Sequence, residues 1–134
     1  MGYVCESHFR VRYAETDQMG VVYFANYLVW MEVGRGDFCR ECGFSYRDLE
    51  REEQVYLAVA EANCRYLGPA RYDDEIVVKT ELTQVRSRTI EFSYQIENGA
   101  TLLAAGRTVH VVLGPDGKIR SLPDRYRELL KSKL

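Results

Sequence analysis

Histidine is scarce in this 134-residue chain: only His8 and His110 occur, and no Gly-x-Ser-x-Gly elbow accompanies them. A serine triad therefore has almost nothing to be built from. The N-terminal stretch "MGYVCESHFRVRY" has no apolar run of about seven residues or more, the core a signal peptide needs, so no leader is expected. Gly2 formally invites N-myristoylation, but Glu6 stands where that motif requires Ser or Thr. No segment is apolar enough over its length to span a membrane. An excess of positive charge is also missing: 18 Lys and Arg against 20 Asp and Glu leave a net charge of -2. Nucleic acid and anionic membrane surfaces are thus excluded as bulk electrostatic partners, and a polyanionic ligand must be met by a local basic patch. Linkers, repeats and low-complexity runs are absent, which predicts one domain over residues 1–134. The four cysteines, Cys5, Cys39, Cys42 and Cys64, are expected to be reduced thiols packed as small hydrophobes in a cytoplasmic protein.

Apolar residues make up 46% of the chain, enough for a real core at this length. Phe9, Val11 and Tyr13 alternate with His8, Arg10 and Arg12, the period of a strand with one buried face. From about Asn26 to about Cys42 the spacing of Tyr27, Trp30, Met31, Gly34 and Phe38 is helical. Leu28, Val29 and Val33 widen the stripe, so the first half of that helix is expected to be buried nearly all round. Gly34 and Gly36 each cost a helix roughly 1 kcal/mol against alanine, which implies close approach of another element, naturally a sheet. Gly43 ends this helix, and Ser45 with Asp48 can cap a second one to about Glu53.

Four further strands follow. Val55, Leu57 and Val59 share one face of a run reaching about Leu67, where "GPARYDD" breaks it. Ile76, Val78 and Leu82 mark the next strand, and Ile90, Phe92, Tyr94 and Ile96 the one after. Asn98-Gly99 signals a tight hairpin into Leu102 to Leu113. "GPDGK" turns the chain again, and Leu122-Pro123 starts a terminal helix to about Lys131. The class is α+β, with one antiparallel sheet curling around one central helix. One helix covers only one face of a sheet, so self-association is expected.

Two motifs yield to bland readings. "GRGDFC" (34–39) lies inside a helical pattern and lacks the third glycine of a dinucleotide fingerprint. Cys39-x-x-Cys42 falls in the last turn of a helix, where the dipole disfavours a thiolate, and no second ligand pair for zinc is visible. "YAETDQMGVVYFANY" (13–27) is different. Asp17 follows a strand and precedes a helix by under ten residues, close enough for its carboxylate to face unpaired N–H groups at the helix start. A carboxylate beside preset donors outlines an acyl-transfer site, whereas the alternative is a residue that merely caps a turn.

"VRYAETDQMGVVYFANYLVWMEVGR" resembles the signature of the 4-hydroxybenzoyl-CoA thioesterase-like, hotdog-fold acyl-CoA thioesterases, including those associated with the Tol-Pal system. The matching positions are Thr16, Asp17, Gly20, Val21, Val22, Tyr23, Asn26 and Tyr27. "CRYLGPARYDDEI" and "RSRTIEF" look like later strands of the family. The resemblance implies a helix wrapped by a sheet, and dimers at minimum with homotetramers common. It also implies sites at subunit interfaces and hydrolysis of a thioester to free acid and coenzyme A, without metal or separate cofactor. Asp17 takes the place of the catalytic carboxylate, as nucleophile or general base, and Phe24 the place whose backbone N–H polarises the thioester carbonyl. Tol-Pal-type members usually carry histidine where Phe24 stands, so a mechanism needing that imidazole is excluded here. Gly20, Val21, Val22, Tyr23, Asn26 and Tyr27 are the expected substrate-binding residues, with Arg86, Ser87 and Arg88 as candidates for holding coenzyme A. Arg65 and Arg71 are weaker ones. Glu15 is expected to be an exposed partner for an arginine. A non-catalytic acyl-CoA binding module is the alternative; a hotdog dehydratase is disfavoured because no acid and histidine stand where that chemistry needs them.

Overall fold

The computed structural model describes residues 2–134. Strands β1 (Val4–Arg10), β2 (Tyr56–Tyr66), β3 (Glu75–Val85), β4 (Thr89–Asn98) and β5 (Thr101–Leu113) form one antiparallel sheet in the order β1-β3-β4-β5-β2. The period-2 faces behave as their sequences require: Ile76, Val78, Thr80 and Leu82 of β3, and Ile90, Phe92, Tyr94 and Ile96 of β4, are all buried. The β4–β5 hairpin turns at Gly99, whose φ of 59° suits glycine. Helix α1 (Asn26–Cys42) lies across the buried face, α2 (Tyr46–Glu53) is capped by Ser45 Oγ accepting from the Asp48 N–H at 3.1 Å, and α3 (Asp124–Lys131) closes the far end. The central helix and the hairpin thus stand where the sequence predicts them.

Glycine sets how closely α1 can lie on the sheet. A Cβ on Gly34 would run into Thr80 and come within 2.9 Å of Val78 Cγ1, and one on Gly106 of β5 would strike Met31. Gly36 differs from expectation: it faces the side chain of Arg40, not a strand. The helix is also not buried all round. Trp30, Met31, Phe38 and Cys39 are enclosed, but Leu28, Val29 and Val33 stay exposed, because a single sheet seals only one side.

Two strands depart from their patterns. Strand β1 ends at Arg10, and Tyr13 opens a 3₁₀ turn (Tyr13–Glu15) with 76% of its surface exposed. The inward face is Cys5, Ser7 and the partly buried Phe9, followed by the buried Val11, so Phe9 and Val11 stand as predicted and only Tyr13 departs. The cause is Glu15, whose carboxylate accepts from the Arg12 N–H at 2.8 Å and diverts the chain out of the sheet. In β2 the register shifts between Val59 and Glu61. Val55, just before the strand, is fully buried and Leu57 packs against the core, whereas Val59, opposite His110 on this edge strand, is exposed. All four cysteines are free, and Cys5, Cys39 and Cys42 are buried, in keeping with their expected packing role.

Candidate active site

The loop between the 3₁₀ turn and α1 folds back on itself. The Asp17 N–H donates to the Val21 carbonyl at 2.8 Å, the Gly20 N–H to the Asp17 carbonyl at 3.0 Å, and Thr16 bridges Val22. Gly20 makes this reversal possible with a φ of 80°. The Val22 N–H reaches across to the Ala70 carbonyl at 2.8 Å, anchoring the loop to the segment that leaves β2. The returning loop and that segment enclose an open cleft of about 460 Å³, whose floor and walls include Asp17, Val21, Val22, Tyr23, Phe24 and Tyr27.

Asp17 is half-buried, and its Oδ1 accepts the Met19 N–H at 2.8 Å; among the described residues nothing donates to Oδ2. Phe24 and Ala25 occupy the turn that opens α1, and no described acceptor takes either N–H. These are the orphan donors of a helix start, and Phe24 shares the cleft with Asp17. The Phe24 carbonyl accepts from the Tyr66 hydroxyl at 2.8 Å, and the Phe24 ring packs edge-on to Tyr66 and tilted against Tyr23, with centroid separations of 6.3 and 4.9 Å. Tyr27 completes an aromatic wall against Tyr66 at 5.0 Å. Burial, foremost, pushes the Tyr66 phenol up to about 12, so it is a neutral donor at ordinary pH.

Not every expected residue lines the cleft. Asn26 turns away, its Nδ2 donating to the Glu15 carbonyl at 2.8 Å, so it holds the loop; Gly20 serves the loop's conformation. Arg86, Ser87 and Arg88 form the exposed β3–β4 turn. That turn sits at the end of the sheet where Tyr56 pairs with Leu113, whereas Asp17 sits by the Tyr66–Ala104 end, so a single chain does not join them. Met19, Tyr66, Leu67, Gly68 and Pro69 line the cleft without having been singled out. Met19 lies within the Asp17 motif itself, whereas the only local signal for Leu67 to Pro69 was the turn sequence after β2, which marks a break and not a wall. Glu15 is corrected most: it is paired with Arg12 as expected but is only 6% exposed. Burial works to raise its pKa, yet hydrogen bonds from the Arg12 side chain, the Arg12 N–H and the Trp30 indole together hold it below the usual carboxylate range. Among the described residues no cluster of His, Cys, Asp or Glu has the makings of a metal site.

A five-stranded antiparallel sheet wrapped on one long helix is the hotdog fold of the thioesterases. The family model described as "Thioesterase superfamily" matches residues 19–112, and the chain belongs to that superfamily. Among its relatives, YneP of Bacillus subtilis is 42% identical over 79% of this chain and 76% of its own length. The acyl-CoA thioester hydrolase YbgC of Escherichia coli O157:H7 is 36% identical over 85% of this chain and 86% of its own. The crystal structure of DHNA-CoA thioesterase from Staphylococcus aureus superposes with a TM-score of 0.90 at 28% identity, covering 97% of this chain and 90% of that one.

Proposed function

We propose that the protein hydrolyses acyl-CoA thioesters, with Asp17 as nucleophile or general base and the Phe24 N–H as donor to the thioester carbonyl. The observation that carries this is one cleft lined by both a carboxylate with a free oxygen and a residue whose backbone N–H has no described acceptor. As the carbonyl carbon becomes tetrahedral, negative charge develops on its oxygen, and a fixed amide dipole at a helix start stabilises that charge without reorganising. Asp17 supplies the other half: it either draws a proton from a water that attacks the carbonyl carbon, or attacks that carbon itself to give a mixed anhydride that water then cleaves. In both cases the C–S bond breaks, coenzyme A leaves as the thiolate and takes up a proton, and the free acid is released. The names of the relatives support coenzyme A as the leaving group. Asp17→Asn keeps the shape and the Met19 contact but removes the base, so turnover in a thiol-release assay over a panel of acyl-CoAs should fall about 10²–10⁴-fold with KM little changed. Unchanged turnover ends this assignment. One observation favours a second reading: Oδ1 already caps the turn through Met19, as it would in a module that binds acyl-CoA without cleaving it. That module would show saturable binding and no thiol release.

The working unit in this proposal is a homo-oligomer, a dimer at minimum, in the cytoplasm. Among the described residues β2 has no neighbour on its outer edge, and it exposes Tyr56, Val59 and Tyr66. Antiparallel pairing of two such edges brings the second copy's Arg86–Arg88 turn toward the Asp17 end of the first, where its guanidinium groups can meet the phosphates of coenzyme A. Light scattering should therefore give at least twice the mass of one chain, and a monomer at assay concentration contradicts it.

A further inference from the structure

We infer that Glu15 is the positioning residue of this site, holding the loop that carries Asp17 and Phe24 in register; the inference rests on the catalytic reading of those two. Its carbonyl accepts from the Tyr23 N–H at 2.9 Å and from Asn26 Nδ2 at 2.8 Å, which ties the loop's entrance to its exit on either side of Phe24. Its carboxylate accepts from Trp30 Nε1 at 2.8 Å, the Arg12 N–H at 2.8 Å and an Arg12 guanidinium nitrogen at 3.1 Å. One buried residue thus joins the segment just after β1, the loop and the second turn of α1. Thr16 and Asp17 follow directly, and Tyr23 directly precedes Phe24, so a shift at Glu15 moves the carboxylate and the amide donor relative to each other. Two groups that must meet one carbonyl lose much of their effect when misplaced by about an ångström.

Glu15→Gln preserves volume and can still accept one hydrogen bond, but it loses the charge that Arg12 and Trp30 address. Expected is a fall in kcat of about 10-fold to 100-fold with KM within about twofold, because the error lies in alignment and not in the cleft's apolar walls. Trp30→Phe removes a single donor while leaving Glu15 charged, and should lower kcat several-fold; it also serves if the Gln variant fails to fold. The chain has one tryptophan, so its indole N–H resonance reports directly on this contact and should move upfield in Glu15→Gln. Wild-type kcat in both variants, with only thermal stability reduced, makes Glu15 a stability residue and overturns the inference. Asp17→Asn, assayed alongside, separates the two levels: its full activity overturns both claims, whereas its loss together with wild-type kcat in Glu15→Gln overturns only this one.

Discussion

The two ends of helix α1 carry polar groups of similar promise and opposite fate. At the first end, Asp17 and Phe24 line one open cleft, and the N–H groups of Phe24 and Ala25 have no described acceptor. At the other, the Gly43 N–H donates to the Arg40 carbonyl and the Phe44 N–H to the Cys39 carbonyl, each at 3.1 Å, and Phe44 with Tyr126 closes the surroundings at a ring separation of 5.1 Å. Burial, before any charge effect, pushes the Cys42 thiol up to about 11 and the Cys39 thiol higher still. Helix ends are reactive where donors are left over and solvent or substrate can enter. They are inert where the cap is complete and the side chains are enclosed.

The largest expected effect tests the open end: Asp17→Asn should cost about 10²–10⁴-fold in kcat, as measured by thiol release. A middle region sharpens the contrast. Under α1, His110 is fully buried, its Nε2 2.8 Å from Thr108 Oγ1, and that hydroxyl lies 2.6 Å from the Tyr94 hydroxyl. Burial, and then the Arg35 charge, lowers His110 from 6.5 to about 4. Between those pH values the unfolded chain holds a proton that the folded one refuses, so stability is complete above about 6.5 and declines as pH falls toward 4. The loss should reach on the order of 3 kcal/mol. Urea titrations across that window in the wild type and in His110→Gln would measure it, and equal slopes would remove His110 as the cause. The smallest effect belongs to the closed end. Cys42→Ser should leave thiol release within about twofold, and alkylation of Cys42 in the native protein at pH 8 should be about 100-fold slower than that of a free thiol. Fast labelling would mean the closed end is open after all.

Much of this contrast was legible in the residues. Helix α1 runs from Asn26 to Cys42 as its 3.6-residue spacing predicts, Gly43 caps it with a φ of 108°, and the placement of Cys39 and Cys42 in the last turn already argues against thiolates. The Asn98-Gly99 hairpin and the inward faces of β3 and β4 were equally plain, since both are local patterns. Glu15 was not: nothing in its neighbours reveals that Trp30 offers it a hydrogen bond inside the fold. Neither was the wall formed by Tyr66 to Pro69, which meets Phe24 only because β2 ends beside the helix start.

The order of residues by itself determined the helix, the strands, the glycine turns and the presence of an acid before a helix start, because each depends on contacts within a few positions along the chain. Only the tertiary structure decided which acid is buried and which lines the cleft, and which apolar residues of α1 remain uncovered. Those outcomes depend on groups far apart in sequence competing for the same buried donors and the same side of one sheet, and that competition is settled only when the chain closes on itself.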